Sequence, residues 1–152
     1  MQSLSQLLSP GRTLCCAPGN SQKRLFHTIA KLISEDEPAL SQGDILNRLT
    51  AREKLGSTGL GLGIAIPHCR VEDCARPLGC LVTLEEPIDF NAPDDAPVDL
   101  LFALLVPAEA SQQHLDILAF IARLFQQPEF CAQLRQAGDA AELYRIATTW
   151  ES

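Results

Sequence analysis

"VDLLFALLVP", residues 98–107, is an almost unbroken apolar run, interrupted only by Asp99 near its start. A strand with one wet face alternates apolar and polar side chains. A strand that is apolar at successive positions has both faces covered, as a central strand between two helical layers does. This stretch is therefore read as the middle of a sheet, and the rest of the chain is arranged around it.

Before it, the proline- and aspartate-rich "NAPDDAP" (91–97) reads as a surface loop. Further upstream, Leu78 to Leu84 reads as a second strand, ending in a turn at Glu85 to Pro87. After the central run, helices complete the chain: "SQQHLDILAFIARLFQQ" (111–127), "PEFCAQLRQA" (128–137) and "DAAELYRIATT" (139–149). In the first of these, Leu115, Leu118, Ala119, Ala122 and Phe125 are read as the buried stripe, with Phe102, Phe120 and Phe125 as core residues. Near the N-terminus, a short helix over 3–8 precedes a turn at Pro10-Gly11, and "RTLCCA" (12–17) reads as a strand. "NSQKRLFHTIAKLIS" (20–34) places Leu25, Ile29, Leu32 and Ile33 at helical spacing, with Asn20 or Ser21 as the cap. Pro38 blocks its continuation. A second helix opens at Ser41, uses Ile45, Leu46 and Leu49, and runs to Lys54. The expectation is one α/β domain spanning 1–152, with a mixed central sheet of about five strands sandwiched between helices.

Composition narrows the function classes. The formal net charge is −7, which argues against nucleic acid, whose binding depends on Lys and Arg meeting phosphates. Charged residues make up 20% and hydrophobic residues 46%, the balance of a globular chain. No run of about 18 apolar residues is present, so no membrane insertion is expected. The N-terminus lacks the basic stretch and apolar core of a signal peptide, and a cytoplasmic location follows as an expectation. Cys15, Cys16, Cys69, Cys74, Cys80 and Cys131 show no CxxC spacing. They read as reduced and mostly buried small apolar residues. His68, Cys69 and Cys74 do not have the spacing of a metal set, and neither metal nor cofactor is expected.

The chemistry points to "GLGLGIAIPHCR", residues 59–70. Its glycines invite a phosphate-loop reading, but no Gly-Lys-Ser/Thr follows, and they precede a strand where phosphate loops come after one. A tight entry turn accounts for Gly59, Gly61 and Gly63. Residues 62–66 read as a strand, and Pro67 then fixes the angle at which His68 leaves its end. His114 opens the helix after the central strand. If the two strands are parallel neighbours, both imidazoles emerge on one side of the sheet. Arg52, near the end of the second helix, is placed to reach the same spot. A neutral histidine among cationic donors suits the receipt of a phosphoryl group. Ser57 and Thr58 fit either a site lining or turn roles, and His27 reads as a structural or surface residue.

"GLGLGIAIPHC", within the fuller "LTAREKLGSTGLGLGIAIPHCR" and together with "DLLFALLVPAEASQQHL", resembles the fructose/mannitol-type enzyme IIA family of the bacterial phosphoenolpyruvate-dependent phosphotransferase system. Its stand-alone nitrogen-regulatory branch is the most similar. The resemblance extends from the first helix to "ELYRIAT" and implies a mixed five-stranded sheet between helices. It implies that His68 accepts phosphate from an HPr-like phosphocarrier protein, that His114 helps hold the phosphoryl group, and that Arg52 contacts it. It further implies output through phosphorylation-dependent binding of regulatory targets such as a potassium transporter or a sensor kinase. Two alternatives stand beside it: a sugar-specific enzyme IIA passing phosphate to a separate enzyme IIB, and a protein-interaction module that is not phosphorylated. Cys69 departs from the family pattern, where glycine is commoner, and raises the question of local oxidation.

Overall fold

The computed structural model describes residues 3–18, 21–109 and 112–150. The elements in chain order are β1 (Thr13–Ala17), α1 (Gln22–Asp36), α2 (Gln42–Lys54), β2 (Gly59–Gly61), β3 (Ile64–Ala65) and β4 (His68–Val71). Then come β5 (Leu78–Ile88), β6 (Val98–Pro107), α3 (Gln112–Phe125), α4 (Pro128–Gln136) and α5 (Ala140–Thr149). The sheet has six strands where about five were expected, in the order β1-β5-β6-β3-β2, with β4 also paired to β6.

β6 is the central strand the apolar run calls for. It pairs antiparallel with β5 on one side and parallel with both β3 and β4 on the other. Its side chains alternate between two cores. Leu101, Ala103 and Leu105 pack with Leu25, Phe26, Ile29 and Ile33 of α1 and with Ile45 and Leu49 of α2. Leu100, Phe102, Leu104 and Val106 pack with Ile117, Ile121, Phe130, Leu134 and Leu143 of α3, α4 and α5. Both faces are covered, as the sandwich expectation requires.

Local signals account for the helix ends. Ser21 Oγ accepts from the Arg24 amide at 3.2 Å and Ser41 Oγ from the Asp44 amide at 3.3 Å. Ser21 is therefore the cap of α1; Asn20 lies outside the described residues, as does Ser111. Pro128 occupies the first turn of α4, where a missing N–H costs nothing. Asp139 caps α5 by accepting from the Glu142 amide at 2.8 Å.

Several expectations need correction. The N-terminal segment forms only short 3-10 turns, Leu4–Gln6 and Pro10–Arg12. Arg12 belongs to the second of these, not to β1. It is buried, with Nη1 donating to the carbonyls of Leu7 (2.7 Å) and Gly79 (2.8 Å) and Nε to Asp36 Oδ2 (2.8 Å). The Arg12 bond holds the Asp36 carboxyl below the usual carboxylate range. Glu85 to Pro87 is not a turn but a solvent-facing continuation of β5, with irregular pairing between Thr83 and Ile88. The single strand expected over 62–66 is a hairpin of β2 and β3 that turns at Leu62-Gly63.

In α3 the buried stripe is His114, Ile117, Ile121, Leu124 and Phe125. Leu115 is 59% exposed and Ala119 also faces solvent, so the buried stripe lies out of phase with the expected one. Phe102 and Phe125 are core as expected, Phe120 is partly buried, and His27 is exposed. Among the described residues no helix is long and apolar enough to cross a membrane.

Candidate functional site

The β2–β3 hairpin sets up the site. Gly61 and Gly63 adopt φ of +89° and +81°, a region that admits glycine without strain. Leu62 between them is also left-handed at +59° and is held from both sides. Its amide donates to Asp94 Oδ2 at 2.9 Å, and its carbonyl accepts from Arg135 Nη2 at 2.8 Å. A Cβ at Gly63 would stand 2.7 Å from Arg135 Nη2 and 3.0 Å from Asp99 Oδ1. The glycines thus serve the turn, as the sequence suggested. Ser57 and Thr58 are engaged in structural bonds: Ser57 Oγ donates to the Phe90 carbonyl at 2.7 Å, and Thr58 Oγ1 to Glu53 Oε1 at 2.7 Å.

His68 does not lie past the end of a strand. It opens β4, which continues the path of β3 along β6. Pro67 lacks an N–H, but its carbonyl accepts from the Leu104 amide at 2.8 Å, so the junction stays in the ladder. His68 is half-buried opposite Leu104. Its Nδ1 lies 2.8 Å from the Ile66 carbonyl. A carbonyl only accepts, so Nδ1 carries the proton and, in the neutral ring, Nε2 carries the lone pair. Burial, reinforced by the positive charge of Arg52, lowers the His68 pKa against the opposing pull of the Ile66 bond and Glu53. The ring is therefore neutral near pH 7.

The parallel pairing of β4 with β6 brings His114 of α3 to the same place. The two rings meet edge to face, with centroids 5.9 Å apart and planes at 75°. His114 is buried, and its Nδ1 has no hydrogen-bond partner among the described residues. Burial, then the neighbouring His68 and Arg70, lower its pKa. An orphaned polar atom beside a second imidazole is a donor or acceptor without an object.

A cleft of about 440 Å³ opens here, lined by Arg48, Arg52, Leu55, His68, Arg70, His114 and Leu115, among others. The structure brings His68, His114 and Arg52 together around it. Arg52 Nη1 donates to the Gly56 carbonyl at 2.9 Å, which steadies the side chain at the end of α2. Sequence reading overlooked Arg48 and Arg70. Arg48 stands one helical turn before Arg52 and pairs with Asp44 at 3.2 Å; that i, i+4 spacing of two arginines was the available signal. Arg70 shares its strand face with His68 and donates to the Ala108 carbonyl at 2.9 Å. Cys69 points the other way, into the core under α1 and α2, where burial pushes its thiol up to about 12. Cys74 Sγ donates to the Arg76 carbonyl at 2.9 Å. Among the described residues no group of three or more His, Cys, Asp or Glu side chains gathers as a metal set.

A family model described as "Phosphoenolpyruvate-dependent sugar phosphotransferase system, EIIA 2" matches residues 6–149. The chain belongs to that EIIA family. Among its EIIA relatives, the nitrogen regulatory protein of Pseudomonas aeruginosa is 47% identical over 146 residues, 96% of this chain and 95% of the relative. That of Escherichia coli is 42% identical over 149 residues, 97% and 91% of the two chains. The crystal structure of the nitrogen regulatory protein IIA-Ntr from Neisseria meningitidis superposes with a TM-score of 0.83 at 38% identity, covering 94% of this chain and 97% of that one. The mannitol IIA of Escherichia coli, 14% identical over 92% of this chain and 98% of its own, shares the fold with a TM-score of 0.75.

Proposed function

We propose that this EIIA chain is a cytoplasmic phosphoryl carrier of the nitrogen-regulatory kind. His68 takes phosphate from an HPr-like phosphocarrier and the phosphorylation state governs binding to target proteins. The observation that carries the reading is the 2.8 Å contact of His68 Nδ1 with the Ile66 carbonyl: an acceptor there assigns the proton to Nδ1 and leaves Nε2 as the nucleophile. That nitrogen attacks the phosphorus of the donor's phosphohistidine. The new N–P bond forms as the donor's N–P bond breaks, with the donor imidazole as leaving group. There is little further chemistry for the protein to do, so catalysis is positioning and charge stabilisation. Arg52 supplies fixed positive charge at the cleft, and Arg48 and Arg70 add to it. His114 is assigned the task of hydrogen-bonding the phosphoryl oxygens, which gives its buried ring a partner. No cofactor enters this step.

The exposed rim suits a docking role. Leu55 (85% exposed) and Leu115 (59%) flank the cleft. Phosphorylation adds about −1.5 to −2 charge between them, enough to exclude one partner and admit another. The test is incubation of the chain with the general phosphotransferase proteins and radiolabelled phosphoenolpyruvate. Label on the wild type and none on His68→Ala is expected; equal labelling of both overturns the assignment.

A further inference from the structure

β1 departs from regular pairing at one point. Leu14 stands opposite Val82 and Ala17 opposite Leu84, so Cys15 and Cys16 share a single position, that of Thr83, on β5. This is a β-bulge, and Cys16 within it has φ of +57°, uncommon for a residue with a side chain. The Cys16 amide donates to Thr83 Oγ1 at 2.8 Å instead of to a ladder carbonyl.

On a regular strand, successive side chains point to opposite faces. Here the bulge turns both thiols to one side, with the two sulfurs 3.0 Å apart. The Ala137 carbonyl accepts from Cys15 Sγ at 3.3 Å and lies 3.9 Å from Cys16 Sγ. β1 is the edge of the sheet, Cys16 is exposed and Cys15 half-buried, whereas Cys69, Cys74, Cys80 and Cys131 are buried.

We propose that Cys15 and Cys16 form a redox-modification site, a vicinal dithiol that a peroxide closes to a disulfide between adjacent residues and a thiol reductant reopens. The exposed Cys16 sulfur attacks a peroxide oxygen. The O–O bond breaks and one water leaves, giving a sulfenic acid. The Cys15 sulfur then attacks that sulfur, the S–O bond breaks and a second water leaves. The two thiols give up two electrons and two protons, and hydrogen peroxide is reduced to two waters. Burial and the hydrogen bond shared with Cys16 keep the Cys15 thiol above its usual range, so it takes the second, resolving role.

Adjacent Cα atoms stand about 3.8 Å apart, shorter than the usual disulfide separation of about 4.4–6.8 Å. The closed ring is consequently strained and easily reduced, a reversible mark and not a structural staple. Closure also takes the Cys15 S–H away from the Ala137 carbonyl at the joint between α4 and α5. The site is separated from the histidine cleft by β5 and β6, so it is independent of the phosphoryl reading.

Trypsin, cutting after Arg12 and Lys23, yields a peptide of residues 13–23 that holds both cysteines and no other. The native chain is treated with one equivalent of hydrogen peroxide, its remaining thiols are alkylated under denaturing conditions, and the digest is weighed. The expected result is an unalkylated 13–23 peptide lighter by two hydrogens and restored by dithiothreitol, with the four buried cysteines still alkylated and no such product from Cys16→Ser. The proposal is overturned if 13–23 stays alkylated. Oxidation of Cys16 to a sulfinic acid, or to cross-linked dimers on a non-reducing gel, overturns it equally.

Discussion

Replacing His114 separates its cost to the fold from its use in transfer. The ring is buried with Nδ1 unpartnered, and an unsatisfied buried polar atom costs about 1–3 kcal/mol. His114→Leu removes that atom and keeps most of the volume against Ile117 and the adjoining core. The variant is therefore expected to match or exceed the wild type in urea denaturation, by up to about 1 kcal/mol. Transfer behaves in the opposite way. A hydrogen bond to a charged phosphoryl oxygen contributes about 1.5–3 kcal/mol, so losing it slows phosphorylation of His68 by about 10- to 100-fold. His114→Gln, which retains an N–H donor, recovers part of the rate. Single-turnover transfer from a phosphorylated HPr-like donor, followed by acid-quenched gels or mass spectrometry, reads the rate. A Leu variant that transfers at the wild-type rate but unfolds in less urea would show that the ring is structural, and the reasoning would fail.

Other expectations follow from the same geometry. Arg12→Met strands the Leu7 and Gly79 carbonyls and leaves Asp36 without its cation; urea midpoints should report a loss of about 3 kcal/mol, whereas a loss under about 1 kcal/mol would mean that the contact behaves as a surface pair. Gly63→Ala forces a side chain into φ of +81° against Arg135, with an expected loss of about 1–3 kcal/mol and a weakened hairpin in hydrogen exchange. His68 and His114 both have lowered pKa values, so as pH falls the unfolded chain binds their protons first. The stability they confer is complete above about 6.5 and declines as pH drops through and below that value. Their ring protons should titrate below the free-imidazole midpoint in NMR; a midpoint above it contradicts the buried, cation-facing setting.

The central strand and both helical layers were legible because burial on two faces leaves an unmistakable run, Leu100 to Val106. The convergence of His68 and Arg52 on one cleft was legible from the motif and from the end of α2. The misreadings have physical causes. In α3 apolar residues occur nearly all round, and the true stripe contains a polar residue, His114; a count of apolar positions alone slips to Leu115 and Ala119. β4 escaped notice because "HCRV" is only four residues long and follows Pro67, whose missing N–H reads as the end of a strand. Glu85 to Pro87 has turn composition, yet β5 is long enough there to run out into solvent. The β-bulge that turns Cys15 and Cys16 to one side is a matter of register, which depends on β5 and is not written in β1.

In the proposed transfer the Ile66 carbonyl, by fixing the proton of His68 on Nδ1, makes Nε2 the atom that receives phosphate. Long-range nitrogen-15 NMR of the chain phosphorylated through the general phosphotransferase proteins tests it directly. Phosphorus coupling to Nε2 of His68, with Nδ1 still protonated, is the expected result. Phosphate on Nδ1, or on any residue other than His68, would contradict it.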